Sequence, residues 1–71
     1  METGSILVGR CYVTATNDVR RVLAVDGQSV TYVVRGKMAF PSWDPHAWQS
    51  TNKQNFASEV SSEVSCDWRV P

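Results

Sequence analysis

From Pro41 to Asn52 the chain reads Pro-Ser-Trp-Asp-Pro-His-Ala-Trp-Gln-Ser-Thr-Asn, and Trp43, His46 and Trp48 are the side chains there best suited to contact a ligand. Two prolines each remove an amide donor, so the segment reads as a long loop or irregular edge, with a short strand over Ala47–Thr51 as the ordered alternative. Loops of that length in small domains often carry function or pack as lids. Exposed indole rings offer flat apolar faces that fill a partner's pocket or stack on bases, whereas the same rings folded inward would cover an undersized core.

A second group is basic. Arg10, Arg20, Arg21, Arg35 and Lys37 gather on the first half of the chain, and Arg20, Arg35 and Lys37 form a candidate patch if the two arginines project from one outer face. Such a patch binds phosphate backbones with strong salt dependence. Charges of this kind on a solvated strand also serve to discourage edge-to-edge aggregation. Seven basic and seven acidic residues give a formal charge of zero, so no global field attracts nucleic acid or an anionic membrane.

Catalytic constellations are thin. Asp44-Pro45-His46 with Cys66 lacks both the ligand count of a metal centre and the orienting third group of a nucleophilic pair, so no catalytic residue and no metal site are expected. The glycines at 4, 9, 27 and 36 are scattered singly and make no phosphate loop, and Glu59 and Glu63 straddle a change of period. No cofactor or small-molecule ligand follows from these residues. A single small domain of 71 residues has little room for an interior substrate site, which leaves catalysis only as a distant alternative, in a site formed between subunits.

The elements that must position these groups are β-rich. Val8–Thr14 reads as a first strand, and Thr16-Asn17-Asp18 as a turn. Val19–Val25 and Gln28–Arg35 form a hairpin about Asp26-Gly27, a pair suited to a type I′ turn because both central residues need positive φ. Counting outward from that turn sets Leu23 opposite Val30, Arg21 opposite Tyr32 and Val19 opposite Val34 on the core side, and leaves Arg20 outside opposite Val33. Phe56 and Val60 are four apart, with Asn52 or Asn55 as cap, and predict a short helical turn. Val64, Cys66, Trp68 and Val70 alternate with polar residues and predict a closing strand.

No apolar run is long enough to span a bilayer, and the start Met-Glu-Thr-Gly-Ser lacks the features of a signal peptide, so a cytoplasmic chain is the expectation. In that compartment Cys11 and Cys66 read as free, half-buried thiols. A bond between them becomes geometrically open only if the first and last strands pair.

The order Gly9-x-x-Tyr12, turn, Asp26-Gly27 hairpin, longer loop, helical turn at Phe56–Val60 and closing strand resembles the SH3-like small barrels, including the Tudor and KOW types. The resemblance spans about Val8 to Val70 and is one of pattern, without a family-specific motif. It implies an all-β, SH3-like small barrel of about five mostly antiparallel strands over 8–71, preceded by a flexible tail over 1–7. It does not extend to proline-rich peptide or methyl-lysine recognition, whose aromatic and acidic signatures are missing. The resulting expectation is a non-catalytic binding module that engages a protein partner or a second copy through the aromatic loop. Nucleic-acid binding by the Arg/Lys patch is the alternative.

Overall fold

A computed structural model describes residues 1–35 and 48–68, with residue 35 described by its backbone alone. The fold is mostly sheet: β1 (Cys11–Thr14), β2 (Val19–Asp26), β3 (Ser29–Arg35), β4 (Trp48–Asn52) and β5 (Val60–Val64), with one helix, α1 (Lys53–Glu59). All the ladders are antiparallel and the strands lie in the order β4-β3-β2-β1-β5, an open sheet. First and last strands therefore pair, Cys11 opposite Val64 and Tyr12 opposite Glu63.

The hairpin forms, but its register differs from the expected one. Asp26 pairs with Ser29, so Gly27 and Gln28 make the turn; Gly27 has φ 58° while Gln28 stays out of the left-handed region, which suits glycine at the first central position of a type II′ turn. Val25 then meets Val30, and a bulge at Leu23 shifts the ladder so that Val22 meets Tyr32 and Arg20 meets Val34. One extra residue reverses the facing of everything beyond it. Leu23, expected in the core, is 44% exposed, and Val22 takes its place at 1%. Arg20, expected outside, shares the face of Val22.

That face carries the main core. Ile6, Tyr12, Val22, Val30, Tyr32, Phe56, Ala57 and Val60 form one cluster, with Val25 and Val34 against it. Asn52 caps α1 by accepting from the Asn55 amide at 2.7 Å, as its side chain suits it to do. The cap starts the helix in the register that turns Phe56 and Ala57 inward, and Val60 ends the helix while opening β5.

The N-terminal segment, expected as a tail, packs on the same side. It makes a 3₁₀ turn over Thr3–Ser5 against α1 and buries Ile6. Tyr12 holds it: the phenol donates to the Ser5 carbonyl at 2.7 Å and accepts from the Leu7 amide at 2.8 Å. Burial raises the phenol pKa above its ordinary value, outweighing the opposite pull of the Leu7 amide.

The opposite face is buried as well, at Cys11, Val13, Val19 and Val33. The alternation through Cys66 and Trp68 does not continue the closing strand. β5 ends at Val64, and a turn follows in which the Trp68 amide donates to the Ser65 carbonyl at 2.9 Å. Cys66 is joined to Cys11 by a disulfide with the Cα atoms 5.1 Å apart, so the expectation of two free thiols is overturned. The bond forms because β5 runs beside β1 and Val64 faces Cys11, which carries Cys66 back over that strand.

Candidate functional site

Of the residues singled out by type and spacing, Trp43, His46 and Lys37 lie outside the described residues. Arg35 pairs with Val19 while Arg20 pairs with Val34, which places the two positions on opposite faces of the sheet rather than on one outer face. Trp48 opens β4 opposite Val33 and is 58% exposed, although tryptophan is highly buried on average.

Arg20 is engaged inside the fold. Its guanidinium lies over the Tyr32 ring at 4.7 Å from the centroid and over Phe56 at 5.5 Å. It donates to Glu59 Oε1 at 2.8 Å across the seam between α1 and β2. Its Nε is buried without a hydrogen-bond partner among the described residues. Sequence counting had put Arg21 along Tyr32, and the bulge at Leu23 is what exchanges the two. Because the Glu59 carboxylate is half exposed, Glu59→Gln is expected to cost less than about 1 kcal/mol. Arg20→Ala removes the stem and the stacking too, and should cost about 1–3 kcal/mol in denaturant unfolding. Equal losses for the two variants would assign the effect to the charge alone.

Arg10 is likewise paired, with Glu63 Oε2 at 3.1 Å, between β1 and β5. A shallow groove runs between Gly9–Cys11 and Glu63–Cys66 and ends on the disulfide. Cys66 is therefore not available as a nucleophile. Among the described residues no three His, Cys, Asp or Glu side chains gather where a cation could be held, and no described helix is long and apolar enough to cross a membrane.

The site that remains is β4, an outer strand of the sheet with no further strand paired to it among the described residues. The strand reads Trp48-Gln49-Ser50-Thr51-Asn52, and every position except Thr51 is exposed. It carries no charge, proline or glycine. On its inner side Gln49 accepts from the Tyr32 hydroxyl at 3.3 Å, and the Ser50 and Thr31 hydroxyls lie 3.3 Å apart. Beside it is a shallow groove lined by Gln28, Ser29, Ser50, Thr51 and Asn52. Sequence reasoning reached Trp48 and a short strand here, but it treated the aromatic loop and not the strand edge as the surface.

The class defined by the described residues is an all-β domain with an open five-stranded antiparallel sheet, one short helix on its core face and an exposed tryptophan on an outer strand. Comparison with known proteins gives no match to a family model, to a curated protein or to a solved structure.

Proposed function

We propose that this chain is a non-catalytic binding module of the SH3-like small-barrel kind that engages protein through the surface around Trp48. The barrel reading is supported by strand order, with β1 between β2 and β5, and by the short helix leading directly into the last strand. The binding reading is carried by one observation, the large exposed ring at the start of an uncharged edge strand. Edge strands present unpaired amides and carbonyls, and an adjacent aromatic supplies the apolar contact that main-chain pairing lacks. Protein is favoured over nucleic acid because Arg10 and Arg20, two of the basic residues on which a phosphate patch would rest, each face a carboxylate.

The test is site-resolved crosslinking in the native host. A photo-crosslinking phenylalanine analogue at position 48 should give protein adducts, to another chain or to itself, that the same analogue at exposed Ser61 on the opposite edge does not. Nucleic-acid adducts at 48, or the same products from both positions, would overturn the reading.

A further inference from the structure

The two edges of the sheet are not alike. β5 is irregular, because Ser61 is extra where Val13 meets Ser62 and Thr14 meets Val60. It also carries Glu63 in an ion pair and is followed at once by the turn that the disulfide ties to β1. Bulges, charges and covering segments are the devices that blunt an edge against pairing. Among the described residues β4 shows none of them: its ladder with β3 runs without a shift from Ser29↔Asn52 to Val33↔Trp48.

The direction of its unpaired groups follows from the alternation of antiparallel ladders. The Lys53 amide points inward, donating to the Gln28 carbonyl at 2.8 Å. Counting back, Thr51 and Gln49 direct their backbone groups to β3, and Trp48, Ser50 and Asn52 direct theirs outward. This set is symmetric about Ser50.

From that symmetry we infer that β4 is a homodimer edge, pairing antiparallel with β4 of a second copy about a two-fold axis at Ser50. This rests on the proposed role of the Trp48 surface. In that register Ser50 meets Ser50 and Trp48 meets Asn52 of the other copy, so outward groups meet outward groups and two five-stranded sheets become one of ten. An isologous contact requires a self-complementary strip, and an uncharged strand on a chain of zero formal charge meets no repulsion from its own copy. The same register lays each Trp48 ring beside Asn52 and Ser50 of the partner on the face shared with Val33. Five residues a side bury less than the roughly 1,200–2,000 Å² of a standard interface, which places the contact among the small, transient ones.

Sedimentation or light scattering on the purified chain from about 10 µM to 1 mM should show the mass rising from one chain toward two. Ser50→Lys sets two cations face to face on the axis and should hold the mass at one chain throughout. Ser50→Pro should do the same, since the amide it removes points outward and an edge strand tolerates proline there. Circular dichroism matching the parent confirms that both variants fold. A parent that stays at one chain up to 1 mM overturns the dimer without touching crosslinking at position 48. A dimer that survives Ser50→Lys and Ser50→Pro but is lost in Trp48→Ala overturns the β4 register and keeps the Trp48 surface. Failure of crosslinking at 48 together with a dimer indifferent to all three variants overturns both.

Discussion

Reduction of the Cys11–Cys66 bond is expected to lower the unfolding free energy by about 4 kcal/mol, the loop-closure value for a sequence separation of 55. The bond joins the two ends of the sheet's longest excursion, from β1 to the second residue beyond β5, so it restricts almost the whole unfolded chain. A folded chain of 71 residues typically holds about 4–11 kcal/mol in all, which makes this single cross-link comparable to the total. The reduced protein, or Cys66→Ala, should therefore sit near the threshold of folding. Denaturant unfolding with and without reductant measures it, and a change below about 1 kcal/mol would mean that β1–β5 pairing alone holds the ends together. Such bonds persist in oxidising compartments, whereas the cytoplasmic expectation had implied two free thiols.

The disulfide was legible only as a condition. Alternation through Val64, Cys66, Trp68 and Val70 argued for a strand that would have carried Cys66 along β1, whereas the strand begins at Val60 and the turn after Val64 brings Cys66 over. Strand position depended on where α1 ended, and Phe56, Val60 and Val64, each four apart, fit a continuing helix as well as alternation from Val64 fits a strand. What local chemistry determines was readable: the Asn52 cap, the turn at Thr16–Asp18, where Asn17 takes φ 67°, and the glycine in the hairpin. Register was not, because it accumulates. Moving the turn to Gly27-Gln28 kept Val30, Tyr32 and Val34 on the core face, but the bulge at Leu23 then exchanged Leu23 and Arg21 for Val22 and Arg20. A bulge leaves no mark in composition, and here it decides which arginine stacks on Tyr32 and so which one leaves the candidate surface. The edge at β4 was hidden for a related reason, since a bare edge is a property of strand order and not of the strand's own residues.

Phe56→Ala should be the most damaging single substitution in the core, at about 3–5 kcal/mol. The ring is 0% exposed and meets Tyr12 edge-on, with centroids 5.7 Å apart at 89°, and Tyr32 at 5.2 Å and 66°. It is the side chain by which a helix of seven residues, too short to hold itself, is fastened to the sheet. Losing it empties the space between two tyrosines and takes the floor from under Arg20, so Glu59 loses a positioned partner as well. Phe56→Leu keeps most of the volume and should cost about 1–2 kcal/mol, the difference containing the edge-to-face contacts. Trp48→Ala, on the exposed edge, should change stability by less than about 0.5 kcal/mol. That ordering, read from urea midpoints, separates the residue that holds the fold from the one offered to a partner. If Trp48→Ala instead cost as much as Phe56→Ala, the indole would belong to the core, and the surface assigned to β4 would have no anchor.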